Sequence, residues 1–340
     1  FKGTSSTFYA LNLNKKDIAV DLKTPEGKEI VMGLLKKSDV VAQNFVPGTM
    51  ERLGLGYDML REVNPRIIYA ALSGFGQTGP YSKLASYAAI AEAISGHTYA
   101  TGKRHDPEGP PIAMAGALGD LGPAMYAAFA IVAAIRHRDR TGLGQMIDVA
   151  QTDSMVAFNA TSTVAYSLFK KTWAEMQRDK PRDPTRVWGI FEVKDGWIQV
   201  AGERAKAIDL LKEKLGTEEL NRDLVAEHIK GMTRREAFRF LAEVGMPVAP
   251  IYEAYESMSD PHLLARDMWV QVDHPVAGKY TVPNFPVAFS VTPGEVTSAA
   301  PMLGQHTEEV LTTLLGYTPE RVKELEKEGK IACWRGDESS

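Results

Sequence analysis

Ile18-Ala19-Val20-Asp21-Leu22, then Thr24-Pro25-Glu26 and a run with Ile30, Val31, Leu34 and Leu35 on one helical face, decides the fold class. The first five residues read as a strand. The segment after them starts a helix well, because Thr suits the N-cap, Pro the first turn and Glu the positive helix end. The alternation then repeats. Asp39 to Asn44, carrying Val40-Val41, reads as a second strand, Tyr57 to Val63 as a short helix, and Arg66 to Leu72 as a third strand. Strands alternating with helices in this way predict an α/β fold on a parallel sheet covered on both faces.

Working outward, a long helix is expected from about Pro123 to Arg138, closed by Thr141-Gly142-Leu143-Gly144. A strand from Gln145 to Ala150 and a largely apolar helix from Thr152 follow. Arg178-Asp179-Lys180-Pro181-Arg182-Asp183-Pro184 reads as a linker, since two prolines and five charges do not sit in a core. Beyond it, Trp188 to Val193 and Trp197 to Ala201 flank Lys194-Asp195-Gly196, the pattern of a β-hairpin. Helices near 208–215 and 234–244 complete a smaller α+β domain. Tyr280 to Ser290 is extended and broken by prolines, and the last helices lie near 306–315 and 319–328. The expected organisation is a large domain over 1–177, a linker over 178–187 and a small domain over 188–272. A return linker with C-terminal helices packing on the large domain then occupies 273–340.

The 340 residues are 44% apolar and 24% charged, enough for about two domains with sizeable cores. Lys and Arg number 39 against 43 Asp and Glu, a net charge of −4. That balance gives no electrostatic footprint for nucleic acid and no polybasic block for a membrane surface. The longest purely apolar run, Ala124 to Ile135, is twelve residues, short of the ~20 that a spanning helix needs. The single Cys333 excludes an intramolecular disulfide framework and a Cys-based zinc cluster. Phe1-Lys2-Gly3-Thr4-Ser5-Ser6 lacks an apolar signal core, so a cytoplasmic protein is expected.

Two constellations could carry chemistry. Gly74-Phe75-Gly76-Gln77-Thr78-Gly79 satisfies the G-x-G-x-x-G pattern directly after a strand. A nicotinamide dinucleotide fingerprint would need a helix to begin there. Pro80-Tyr81-Ser82 follows instead, with no apolar periodicity before about Ile90, which leaves a flexible glycine loop at the carboxyl end of a strand, where ligands of parallel sheets sit. The second constellation is Gly116-Ala117-Leu118-Gly119-Asp120-Leu121-Gly122-Pro123. Asp120 at the threshold of the apolar helix is a plain N-cap on one reading. On the other it is a carboxylate kept ionised by the helix end as a nucleophile, with glycines that let a large substrate approach.

Other motifs are weaker. The seven His residues include no i,i+4 pair and no H-E-x-x-H arrangement, so no helical metal site is expected. Neither a G-x-S-x-G elbow nor a G-x-x-x-x-G-K-[ST] loop occurs, against an α/β-hydrolase and a P-loop NTPase. His137 within Arg136-His137-Arg138-Asp139-Arg140 suits a helix end, and Glu324 to Glu328 a solvated face.

Taken together, several segments in order resemble the class III coenzyme A transferases, the family that includes formyl-CoA and carnitine-CoA transferases and the α-methylacyl-CoA racemases. They are Leu11-Asn12-Leu13-Asn14-Lys15-Lys16, Asn44-Phe45-Val46-Pro47-Gly48, Asn64-Pro65-Arg66-Ile67-Ile68-Tyr69, Gly74 to Pro80, Gly119-Asp120, Arg138 to Gln145, and Leu303-Gly304-Gln305-His306-Thr307 through Leu311. They span nearly the whole chain. The resemblance implies a Rossmann-like large domain, a smaller α+β domain joined by long linkers, and a homodimer interlocked like two chain links, with a hetero-oligomer as the alternative. It also implies a first βα unit with a substrate-contacting residue ahead of Phe1, which this sequence does not contain.

Residue by residue, the resemblance makes Asp120 the catalytic aspartate and places Lys23, Asn44, Phe45 and Arg52 around coenzyme A. Lys23 and Arg52 would pair with its phosphates, and Phe45 would offer a stacking surface. Gly76, Gln77, Tyr87 and Glu92 are candidates for the substrate pocket, together with His97 and a 98–112 loop holding Arg104 and His105. The implied reaction moves CoA from an acyl-CoA, with succinyl-CoA a candidate donor, to a free carboxylic acid. It runs through an aspartyl mixed anhydride and an aspartyl-CoA thioester, and acyl-CoA is a substrate rather than a permanently bound cofactor. The rival within the family is racemase-type proton transfer beside the thioester, but the racemase His position holds Tyr87 and its following acid Ala88. Outside the family, the 74–79 glycines leave a nicotinamide oxidoreductase as an alternative, and a catalytically silent CoA-binding subunit is a further one.

Overall fold

The computed structural model describes residues 1, 3–172, 175–176, 186–202 and 204–336. Its contacts divide the chain into two units: Lys15–Lys180 with Ala300–Ser340, and Phe1–Asn14 with Pro181–Ala299. The expected linker over 178–187 lies outside the described residues except for Arg186 and Val187. Val187 is already part of the smaller unit's core.

In the larger unit, α1 (Pro25–Leu35) begins as its sequence dictates, with Thr24 Oγ1 accepting from the Gly27 N–H and Pro25 and Glu26 in the first turn. Three parallel strands follow in order: β1 (Val40–Gln43), β2 (Ile68–Ser73) and β3 (Met146–Ala150), with β2 in the centre. Ile68 to Ala71 are all buried, the continuous apolar run of a strand covered on both faces. Gln43 pairs with Ala71 and Ser73 with Ala150, so the carboxyl ends of the three strands share one edge. The expected first strand shrinks to Ala19–Val20 and lies outside this sheet, antiparallel to Ile331–Ala332. Its hydrophobic pattern was sound, but its partner lies more than 300 positions away in sequence.

Between β2 and β3 run α2 (Ala88–Ile94), α3 (His97–His105) and α4 (Leu118–Thr141). After β3 come α5 (Gln151–Phe158) and α6 (Ala160–Phe169). The 98–112 stretch, expected as a loop, is helical to His105. The long helix begins five residues earlier than Pro123 and ends at Gly142, whose φ of 80° suits glycine alone. Its 24 residues are long and apolar enough to cross a membrane by length and composition. One side packs on α2, α5, β2 and β3. Near its end, buried Arg138 is ion-paired with Asp39 at 2.7 Å.

The smaller unit holds β4 (Gly189–Val193), β5 (Gly196–Val200) and β6 (Val248–Ile251), an antiparallel sheet in that order. The hairpin is the expected one; β6 was not foreseen. Phe191, Val193, Ile198 and Val200 face α7 (Ala205–Leu215), α8 (Arg222–Ile229) and α9 (Arg234–Glu243), whose Leu211, Val225, Ile229 and Leu241 are fully buried. The strands β7 (Trp269–His274) and β8 (Gly278–Pro283) form a second hairpin, so the expected extended segment from Tyr280 begins as a paired strand and is irregular after Pro283.

Both Phe1–Asn14 and residues 273–299, expected with the large domain and its return linker, belong to this smaller unit. Tyr9 packs edge-on against His274 and Tyr280, and the Asn14 side chain donates to the Glu295 carbonyl while accepting from the N–H groups of Thr297 and Ser298. Local periodicity carries no trace of such distant partners. The chain then returns to the larger unit, where α10 (Thr307–Leu315) and α11 (Pro319–Lys327) bury Leu311, Val322 and Leu325 against Ile30 of α1.

Candidate active site

Asp120 is the third residue of α4, not its N-cap. Ala117 holds that position and gives no side-chain cap. The helix starts early because Gly119 and Gly122 tuck against neighbours. A Cβ on Gly119 would fall 2.4 Å from the Ala88 carbonyl oxygen, so α2 and α4 touch backbone to backbone there. Tertiary packing overrides the poor helix propensity of glycine. Pro123, the sixth residue rather than the first, lacks the N–H that would reach the Gly119 carbonyl.

Around Asp120 the structure assembles a chain of hydrogen bonds. The Gln151 Nε2 donates to Asp120 Oδ1 at 2.5 Å, and the Ser86 hydroxyl donates to Gln151 Oε1 at 3.0 Å. On the other side the Gly119 N–H donates to Glu92 Oε1 at 3.0 Å. The Asp120 carboxyl is exposed, yet its pKa is raised above the ordinary carboxylate value. Partial burial acts first and the Glu92 charge second, while the Gln151 hydrogen bond pulls the other way. The positive end of the long helix favours the ionised form.

The other expected site residues separate into groups. Asn44 and Phe45 leave the carboxyl end of β1, and the short helix Thr49–Arg52 brings Arg52 after them, its Nη2 donating to Thr49 Oγ1 at 2.8 Å. All three side chains are exposed. Gly76 and Gln77 leave β2 on the same edge. Gly76 has a φ of 84°, and the Gln77 N–H donates to Asp148 Oδ2 at 3.0 Å. Gln151 leaves β3. The loops holding Asn44, Phe45, Gly76 and Gln77, the Asp120 partner and the ends of all three strands therefore meet at one sheet edge, where ligands of parallel sheets sit. Lys23 is exposed in the turn between Ala19–Val20 and α1, its backbone N–H donating to Asp21 Oδ1 at 2.9 Å.

Two residues expected in the substrate pocket differ in exposure. Glu92 is buried, and its Oε1 accepts from the backbone N–H of Gly119. Tyr87 is 78% exposed at the N-cap of α2. His97, Arg104 and His105 do come together. With Thr101, Phe158 and Ser162 they line a cleft of about 600 Å³. His97 donates from Nε2 to the Met155 carbonyl at 3.1 Å. Phe158 is also the ring against which Gly122 packs, two residues from Asp120. No helix begins after Gly79; the next starts at Ala88, so the glycine loop lacks the helix end that a dinucleotide fingerprint needs. Sequence reasoning missed Gln151, because a lone glutamine after a strand carries no spacing signal of its own.

Comparison with known proteins agrees with this geometry. The family model described as CoA-transferase family III matches residues 1–307. The chain is 31% identical to the succinyl-CoA–L-malate CoA-transferase beta subunit of Chloroflexus aurantiacus, covering 95% of this chain and 84% of that protein. It is 33% identical to the human succinyl-CoA:glutarate CoA-transferase, over 97% of this chain and 79% of the relative. Among solved structures, a CAIB/BAIF family protein from Brucella suis superposes with a TM-score of 0.79 at 28% identity, covering 92% of this chain and 84% of the other. The sheet, the glycine-hemmed start of α4 and these matches lead to one conclusion: the chain belongs to CoA-transferase family III.

Proposed function

We propose that the protein moves CoA from a donor acyl-CoA to a free carboxylic acid, with Asp120 as the covalent nucleophile. The observation that carries this reading is the Asp120 carboxylate itself: exposed, at the N-terminal end of a 24-residue helix, and linked through Gln151 to the edge where the strand ends gather. In the first step an Asp120 oxygen attacks the thioester carbonyl, the C–S bond breaks, and CoA leaves as thiolate with a mixed anhydride behind it. The thiolate attacks the aspartyl carbonyl carbon, and the donor acid departs as carboxylate. The acceptor carboxylate then attacks the aspartyl thioester and expels the thiolate. Attack of that thiolate on the acceptor's acyl carbon restores the Asp120 carboxylate. Each step exchanges one nucleophile for one leaving group, and none needs water or a proton.

Asn44, Phe45 and Arg52, on one segment beyond β1, are proposed to hold CoA, with the guanidinium on a phosphate and the ring on an apolar face. The cleft holding His97, Arg104 and His105 favours an anionic acceptor or donor such as a dicarboxylate, and succinyl-CoA as donor accords with the relatives' names. Because the Asp120 pKa is raised, the acid limb of kcat/KM is expected at higher pH than an unperturbed aspartate would give, with activity lost as pH falls through it. Proton transfer beside the thioester is disfavoured, since Tyr87 and Ala88 hold the racemase positions and His97 is tied to Met155.

A second copy of the chain is proposed to cover the open faces of α4 and α6. Met125, Phe129 and Val132 are 73%, 76% and 66% exposed at helical spacing, and Val164 and Leu168 on α6 are exposed too.

The deciding experiment is a matrix of acyl-CoAs against free acids, read by the new CoA ester that appears. Hydroxylamine trapping during turnover should modify a single peptide, the one containing Asp120. Modification elsewhere, or α-carbon deuterium exchange without CoA transfer, overturns the proposal.

A further inference from the structure

We propose that Gln151 is the positioning residue of this site: its amide, oriented by Ser86, fixes Oδ1 of Asp120 and leaves Oδ2 to attack the thioester. The inference rests on the reading of Asp120 as the nucleophile.

A glutamine amide has one donating and one accepting end, and which faces where is set by its neighbours. The Ser86 hydroxyl donates to Oε1 at 3.0 Å, which turns the NH2 toward Asp120, where Nε2 lies 2.5 Å from Oδ1. Reversed, the amide would set two acceptor oxygens against each other. Both anchors are set by secondary structure. Gln151 opens α5 directly after β3, and Ser86 precedes the N-cap of α2. The amide thus ties a strand end and a loop to the first turn of α4.

The same bond serves every step. Before reaction it favours the ionised carboxylate. Once Oδ2 has been acylated, Oδ1 is the carbonyl oxygen of the aspartyl anhydride and then of the thioester. Negative charge develops on that oxygen when thiolate, and later the acceptor carboxylate, attacks the aspartyl carbon. A donor already in place stabilises this charge without reorganisation. The ionisable groups on the elements packed against α4 are Glu92 on α2, Tyr69 on β2, Asp148 on β3 and Asp153 on α5. Of these it is the Glu92 charge that acts on Asp120, and it stays the same in the variants below.

The test compares wild type, Gln151→Met, Ser86→Ala and Asp120→Asn with one acyl-CoA and acid pair between about pH 4 and 8. Gln151→Met keeps the side chain's volume but loses the donor. Its kcat should fall at least about tenfold, with KM for the acyl-CoA changed by less than about threefold. The acid limb of kcat/KM should move to higher pH, since a hydrogen bond that favours the carboxylate is gone. Ser86→Ala, which only frees the amide to turn, should move both in the same direction by less. It carries the test if Gln151→Met does not fold by thermal melt. If wild type transfers CoA and Asp120→Asn does not, yet neither variant moves the acid limb or kcat, the positioning role is overturned while the transferase reading stands. If wild type transfers CoA between no pair of substrates, the reading falls and the inference with it.

Discussion

In the smaller unit, one face of β4–β5–β6 is closed off completely: Phe191, Ile198, Val200, Leu211, Val225, Ile229 and Leu241 are at most 1% exposed. The larger unit treats its apolar residues differently. Its sheet is buried along β2, but α4 and α6 leave Met125, Phe129, Val132 and Leu168 open, and Gln77, Asp148 and Gln151 are hydrogen-bonded where the strands end. A unit whose core is complete in itself serves stability, and its substitutions should act on folding. A unit with open apolar faces and a hydrogen-bonded carboxylate is the one proposed to carry chemistry and assembly, and on that proposal its substitutions should act on those. The charged contacts repeat the contrast. Arg234 of the smaller unit forks onto Glu256 with both terminal guanidinium nitrogens, Nη1 and Nη2, a structural pair, whereas Asp120 of the larger unit is bonded through Oδ1 to a neutral amide.

The contrast breaks most readily at Asp120. Asp120→Asn should lower kcat/KM for CoA transfer by roughly 10⁴-fold or more, with the thermal midpoint within a few degrees of wild type. Retained turnover would remove the chemistry from the larger unit. In the smaller unit, Leu241→Ala should cost about 2–5 kcal/mol of stability in urea unfolding, while turnover per folded molecule stays near wild type. A large loss of turnover would mean that the smaller unit shapes the site directly. Phe129→Glu on the open face of α4 should weaken self-association by at least about tenfold, measured by light scattering over a dilution series. An unchanged mass would leave that face without the proposed second copy.

The smallest effect is expected from Glu256→Gln. The Arg234 guanidinium, with the Glu253 N–H, holds the Glu256 carboxyl down from 4.5 to about 2. The pair's stabilisation is therefore complete above about pH 4.5 and is lost as pH falls toward 2. The variant should be less stable at neutral pH and lose less on acidification, as read from melting curves between those limits.

What the chain determines by itself is local and periodic. The alternation of apolar strands with capped helices specified a parallel sheet, and the Asp195-Gly196 turn specified the hairpin it forms. The glycines around Asp120 marked a helix start, although packing moved that start five residues earlier. These features follow from propensity and spacing, which act over a few residues. Tertiary structure decided the rest. Glu92 is buried with its carboxylate on the Gly119 amide, and the end of β3 sets Gln151 beside Asp120, neither of which local spacing encodes. Ala19–Val20 found its partner at Ile331–Ala332 and not in the main sheet. In each case the deciding contact joins residues far apart in the chain. Only a closed core fixes such contacts, because a buried donor or carboxylate must meet whatever partner the fold brings to it.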